Sequence, residues 1–409
     1  MLKTHLAKIT GFIQTHKLPS ALFLLALSLW TSVILFGQKF YADESYHYKQ
    51  ITRFHDLNFE LVGMLTTIPG YHALMALFSS VLGKPSFMKI RFLTFVISLI
   101  SIPLFYLLAK KIHQDKKTAL TRTLQFMFFP ISFIYYPLVY TDTFSTLLVL
   151  AALFFIEKKR YYVAGLLSIF SIAVRQNNFV WHIFLWAYSF VSLHGFAYSK
   201  EIIVSHLRKT ILFPLGIAAF GIFVRLNGGI AFGDKTSHQA GLYLGNIYFF
   251  LAMASVLFLP LLLSELRKKT ILTKKFGLGL ALGMMTAASF FFFPPKLHGY
   301  NLSPGFLHDV ILSLAYQKYA LVYAFAIFAG FMTLYTMELK KYAYFIYPFA
   351  VLCLLPSWLV EQRYLILSFI LLLVFRQEKS RRIEWTFITY SVLLCLALFY
   401  MVIATKFFF

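Results

Sequence analysis

Apolar runs long enough to cross a bilayer follow one another along almost the whole chain, each closed by a short cluster of charge, Pro or Gly. A spanning helix needs about 20 mostly apolar residues, and only an element that satisfies its own backbone amides can cross hydrocarbon. The chain is 60% hydrophobic and 13% charged over 409 residues, against roughly a quarter charged in soluble domains. The expectation is a single all-α membrane-embedded domain, 1–409, with about thirteen spans and no separate soluble domain. The spans fall near 20–38, 91–109, 122–140, 143–156, 161–174, 178–194 and 210–226, then near 243–263, 276–293, 314–336, 342–356, 363–376 and 385–405. The apolar stretch Thr66–Leu82 contains Pro69, Gly70 and His72 and is read as interfacial or re-entrant. The run Ser20–Phe36 is long for a signal peptide and no small-residue cleavage pattern follows it, so it is read as an uncleaved first span.

The formal charge of +23 does not point to nucleic acid. Lys and Arg lie in short clusters between apolar runs, where anionic lipid headgroups are the natural partners. With an odd number of spans the basic clusters fall on one side: Lys110, Lys111, Lys116 and Lys117; Lys158–Arg160; Arg208 and Lys209; Arg267–Lys275; Lys340 and Lys341; Arg376–Arg382. The positive-inside rule makes that side cytoplasmic. The opposite side receives clusters that mix acids, amides, His and Gly, the composition of a working site rather than of plain anchors.

Cys353 and Cys395 lie in apolar stretches without CxxC spacing, so neither a disulfide nor a thiolate metal site is expected. HExxH, a nucleotide P-loop and a strand-linked GxGxxG do not occur, which disfavours zinc hydrolysis and chemistry driven by bound ATP.

Five outer segments carry candidate chemistry. Tyr41–His47 places Asp43, Glu44 and His47 just after the first span, and a carboxylate flanked by aromatics at an apolar interface suits a general base with raised proton affinity. The structural alternative is that Asp43 or Glu44 caps the next helix. Thr141-Asp142 and Arg175-Gln-Asn-Asn178 join spans almost directly; charges so close to hydrocarbon pair with one another or line a wet cavity. The segment Asn227–His238 has three glycines whose amides, with Lys235 and His238, would serve a phosphate or sugar, although such stretches are also ordinary turns. Glu361-Gln-Arg363 opens the twelfth span, and the planar Arg fork matches a phosphate diester, the alternative being an Arg that snorkels between Trp358 and Tyr364.

In order and content these motifs resemble the dolichyl-phosphate-glucose-dependent α-1,2-glucosyltransferases, which add the last glucose to the lipid-linked oligosaccharide of N-glycosylation. The matching stretches are Tyr41-Ala-Asp43-Glu44-Ser-Tyr-His47, Leu65-Thr-Thr-Ile-Pro-Gly-Tyr71, Tyr140-Thr-Asp142, Arg175–Asn178 with Trp181, Asn227–Ile230 running on to Gly233–His238, and Leu359–Tyr364. One segment departs. Where the family shows His-Pro-(aliphatic)-Leu-Leu-Ala-Asp-Asn-Arg-His-Tyr, this chain reads His308-Asp-Val-Ile-Leu-Ser-Leu-Ala-Tyr-Gln-Lys-Tyr319, which leaves the acceptor open.

The resemblance implies a GT-C-type architecture in the endoplasmic reticulum membrane, or the plasma membrane of a prokaryote, with a luminal first loop and active site. It implies a dolichyl or polyprenyl phosphate sugar as donor, a lipid-linked oligosaccharide as acceptor, surrounding membrane lipids as partners, and no cofactor or metal. Donor and product anomers differ in the family, so transfer would be a single inverting displacement with Asp43, or Glu44, as base. Arg363, Lys235 and His238 would take up phosphate charge, with Glu361, Arg175, Asp142 and His47 completing the site. A transferase of another sugar and a transporter or flippase of lipid-linked saccharides remain alternatives.

Overall fold

Helices Tyr161–Val174 and Asn178–His194 begin and end where the apolar runs do, because Arg160 and the Arg175–Asn177 turn interrupt them with groups that hydrocarbon cannot solvate. The computed structural model describes residues 17–37, 39–233, 235, 239, 241–266, 274–303, 305–340, 342–404 and 408. Among these the regular structure is helical, with two isolated β-bridges, Phe306 to Phe408 and Leu339 to Arg376.

Among the described residues four helices are long and apolar enough to cross a membrane: Lys17–Phe36, Phe87–His113, Lys274–Phe292 and Arg381–Ile403. Three bent pairs raise the number to seven, and Tyr161–Val174, Ala343–Leu354 and Gln362–Phe375 are apolar but shorter. Three expected spans are corrected. The run 122–140 is not one helix: Lys116–Met127 stops, Pro130–Phe133 makes one turn, and the backbone then runs irregularly to Tyr140. Every residue from Thr123 to Leu150 is buried, and broken backbone at such depth is tolerated where protein covers it. The run 314–336 is likewise split, with Leu307–Gln317 and Ala320–Thr336 meeting at 110°, and the run 243–263 breaks at Phe258, where Gly245–Leu257 and Leu259–Leu266 are bent by 73°. The stretch Thr66–Leu82 holds only the twelve-residue helix Gly70–Val81, too short to cross.

Three of the basic loops meet at one end of the bundle, where His113 and Thr118 reach Val374 and Glu378 and the Lys340 amide donates to the Phe375 carbonyl. There Glu384 accepts from Arg122 Nη1 (2.7 Å), Arg376 Nη1 (3.0 Å), Gln125 Nε2 (2.8 Å) and the Lys379 amide (2.8 Å). Both arginines and the carboxylate are buried. Nearby His113 Nε2 donates to the Val374 carbonyl (2.8 Å) and Lys379 pairs with Glu265 (2.9 Å). The segments of mixed polarity lie at the other end. Removing one partner of a buried ion cluster strands the others without solvent, so Glu384→Ala is expected to destabilise the protein by about 3–5 kcal/mol in denaturant unfolding of the solubilised protein. A loss below about 1 kcal/mol, the range of an exposed pair, would contradict that assignment.

Candidate active site

The end opposite the basic loops is organised around two arginines reaching back to the first loop. Arg91, four residues into helix Phe87–His113, grips Glu44 with Nε on Oε1 (3.0 Å) and Nη2 on Oε2. Its remaining donors cap the carbonyls of Val33, Gly37 and Lys39 at the end of the first helix. Glu44 also accepts from the amides of Tyr41 and Val139, each at 2.9 Å. With both side chains wholly buried, Glu44 is a fastener for the loop and not the alternative base of the sequence reading. Sequence reasoning missed Arg91, which reads as an interfacial charge at the start of a long apolar run; an ionisable group there was the available signal.

The fastened loop presents Asp43. Its amide donates to Tyr140 Oη (2.9 Å), whose hydroxyl donates to the Tyr41 carbonyl (3.1 Å), and its Oδ2 accepts from Arg363 Nη2 (3.0 Å). Arg363 holds Glu361 as well, through Nε to Oε2 (3.0 Å) and Nη2 to Oε1 (2.8 Å), and its guanidinium lies 5.3 Å from the centre of the Tyr140 ring. Beside the aromatics expected around Asp43 a guanidinium faces it, and its side chain, 38% exposed, lines the cleft. Nη1 of Arg363 has no protein partner among the described residues.

Arg175 pairs with Asp142 and stands 5.9 Å from the centre of the Tyr364 ring. His47, one helical turn after Asp43, shares a 2.8 Å hydrogen bond between Nδ1 and His72 Nε2. Asp43, His47, Arg175, Glu361 and Arg363 all line one cleft of about 480 Å³, within the 300–1,000 Å³ range of small-molecule sites. Thr67 Oγ1 and His308 Nδ1 in its lining are buried without a protein hydrogen bond among the described residues.

Asp142 sits behind this lining, paired with Arg175, its second carboxylate oxygen without a partner among the described residues. The Gly-rich segment behaves differently from the phosphate cradle that its composition suggests. The amides of Gly228 and Gly229 close the end of helix Leu212–Asn227 on the Val224 carbonyl. Gly233, with φ +84°, lies so close to the Leu65 carbonyl that a Cβ would stand 2.1 Å from it. Lys235 is exposed, turns back to the Asn227 carbonyl and is not in the cleft lining. His238 lies outside the described residues.

Burial, and then the positive fields of Arg363 and Arg175, push His47 from 6.5 down to about 3. The unfolded chain takes up this proton first, so stability is complete above about pH 6.5 and drains away as pH falls toward 3, by about 1.4 kcal/mol per pH unit. His47→Asn is expected to make the acid-side fall of the unfolding midpoint shallower between pH 6 and 4. An unchanged slope would show that His47 protonates freely in the folded protein.

The model of the DIE2/ALG10 family matches residues 37–202 and 192–374. A curated relative from Rattus norvegicus is 25% identical over 427 residues, covering 90% of each chain, and one from Homo sapiens is 25% identical over 432 residues with the same coverage. One from Candida albicans is 26% identical over 287 residues, 63% of this chain and 62% of its own. All three bear the name Dol-P-Glc:Glc(2)Man(9)GlcNAc(2)-PP-Dol alpha-1,2-glucosyltransferase. Among solved structures, the apo oligosaccharyltransferase of Archaeoglobus fulgidus aligns over 92% of this chain and 56% of its own at 11% identity, with a TM-score of 0.37, too distant to bear on the fold. The family match covers more than half of the chain and includes Asp43, Arg175, Glu361 and Arg363, and on that ground this chain belongs to the DIE2/ALG10 family.

Proposed function

We propose that the protein moves glucose from dolichyl-phosphate glucose to a lipid-linked oligosaccharide through an α-1,2 linkage, in a cleft on the luminal side of the endoplasmic reticulum membrane. The observation that carries this reading is that Asp43, Arg175, Glu361 and Arg363, scattered across the chain, line a single cleft. The names of the relatives supply the substrates.

In the proposed step the acceptor 2-hydroxyl attacks the anomeric carbon of the β-linked donor as the carbon–phosphate oxygen bond breaks, giving the α-linked product. Asp43 Oδ2 is held by Arg363, while Oδ1 takes the hydroxyl proton; a carboxylate offers about four lone-pair sites, so one ion pair does not exhaust it. Dolichyl phosphate leaves as an anion, and Arg363 Nη1 neutralises its developing charge beside Arg175, a contribution of about 3 kcal/mol for a well-placed donor. Glu361 and Asp43 clamp the guanidinium in place before substrate arrives, so no reorganisation is needed at the moment of reaction.

A GT-C-type bundle of about thirteen spans fits this chemistry, because the donor's tail stays in lipid while only its phosphosugar enters the cleft. Large apolar side chains such as Leu226, Leu321 and Phe325 stand 82%, 79% and 68% exposed, a surface suited to lipid. The odd count is supported by the two ends. Helix Lys17–Phe36 finishes under Arg91 at the cleft end, and Phe408 stacks on Tyr140 at that same end, 6.3 Å between ring centres.

The test is turnover by purified protein in lipid vesicles, supplied with dolichyl-phosphate glucose and the glycolipid acceptor. Asp43→Asn is expected to lower kcat by about 10²–10⁴-fold with the unfolding midpoint retained, the range of a lost general base. Arg363→Lys, which keeps the charge but loses the fork, is expected to raise the donor KM. Near-normal turnover of Asp43→Asn would remove it as the base, and failure of wild type to transfer glucose would remove the function.

A further inference from the structure

Phe408, just beyond helix Arg381–Ala404, is buried among the rings that hold the first loop. Its carbonyl accepts the Leu307 amide (2.9 Å) in a β-bridge between Phe306 and Phe408, so its backbone is fixed to a segment that lines the cleft through Phe306. Its ring lies parallel to Tyr140 within 7°, with ring centres 6.3 Å apart, and its centre is 6.0 Å from that of Tyr41, while Tyr135 and Phe306 meet it edge-on at 6.1 Å each. All four separations are those of favourable aromatic pairs. Two of these partners bear directly on Asp43. Tyr140 Oη accepts the Asp43 amide and donates to the Tyr41 carbonyl, and the Arg363 guanidinium that holds Asp43 Oδ2 lies over the Tyr140 ring. A phenolic oxygen is rigidly attached to its ring, so whatever fixes the Tyr140 ring fixes the anchor of the Asp43 backbone.

We propose that Phe408 is a positioning residue for the transfer step: packed on Tyr140 and Tyr41, it holds the Tyr140 hydroxyl against the Asp43 amide and so keeps Asp43 in line with the acceptor hydroxyl. This rests on the transferase reading of the cleft, in which Asp43 is the base. Phe408 does not line the cleft, so it acts through Tyr140 and not on a substrate. Removing its ring leaves a void beside Tyr140 that the neighbours fill only in part, and the freedom gained by Tyr140 passes to Asp43. A misplacement of about 1 Å costs about 10²-fold in rate, whereas binding of either substrate, carried by the cleft lining, stays as it was. A Phe408 that served stability alone would leave turnover per folded molecule unchanged.

The experiment measures kcat per folded molecule and KM for dolichyl-phosphate glucose and for the acceptor glycolipid, with full-length protein in nanodiscs. Phe408→Ala is expected to lower kcat about 10- to 100-fold and to move either KM by less than about twofold. Phe408→Leu, which keeps most of the apolar volume, is expected to recover most of the lost kcat. Phe408→Val, a smaller truncation, shows the same split in lesser measure should the Ala variant not fold. Tyr140→Phe removes the hydroxyl beside the Asp43 amide and is expected to lower kcat as well; adding Phe408→Ala to it is expected to cost less than about a further twofold, because both act through one contact. An unchanged kcat in the truncated variants, a loss that resides in either KM, an inert Tyr140→Phe, or a full second penalty in the double variant overturns the inference while leaving the transferase intact. Absence of transfer by wild type overturns both.

Discussion

One guanidinium holds the cleft together. Arg363 donates to carboxylates at positions 43 and 361, and so joins the first loop of the chain to the start of one of its last helices. Arginine suits this place because its planar fork serves several acceptors in fixed directions and keeps its charge at any physiological pH. Two carboxylates on one cation leave the cluster with one net negative charge, to which the neutral Arg175–Asp142 pair nearby adds none. An arriving anionic phosphate would find Nη1 of the same fork without a partner among the described residues, so donor and proposed base can share one guanidinium.

The loop that carries Asp43 is positioned from beneath by Arg91 and Glu44. Two ions without solvent are stable only where every remaining lone pair and proton is engaged, and here the carboxylate also takes two backbone amides while the guanidinium caps three carbonyls. The same device recurs at the basic end, where Arg122 and Arg376 converge on Glu384. Each buried cluster thus fastens non-helical backbone to helices at one end of the bundle, and the apolar helices between them need only pack.

Much of this was legible in the residues. Asp43, Arg175, Glu361 and Arg363 stand out because charge between apolar runs is rare enough to be noticed, and the helices Tyr161–Val174 and Asn178–His194 follow their runs. What failed to show had physical causes. The run 122–140 is as apolar as a span, yet it is irregular because surrounding protein, not lipid, covers it. Glu44 and Asp43 are adjacent and look interchangeable; only the third dimension turns one into Arg91 and the other into the cleft. Glycines at 228 and 229 read as free amides, but a helix end uses both.

The most direct measurement is a cryo-electron microscopy map of the full chain in a lipid nanodisc with dolichyl-phosphate glucose bound. The account predicts phosphate oxygen within about 3 Å of Arg363 Nη1, the distance of a charge-assisted hydrogen bond, with the sugar's anomeric carbon facing Asp43 and the tail leaving the cleft into lipid. A phosphate held at the basic end beside Arg122 and Arg376, or a donor that leaves the cleft between Asp43 and Arg363 empty, would contradict it.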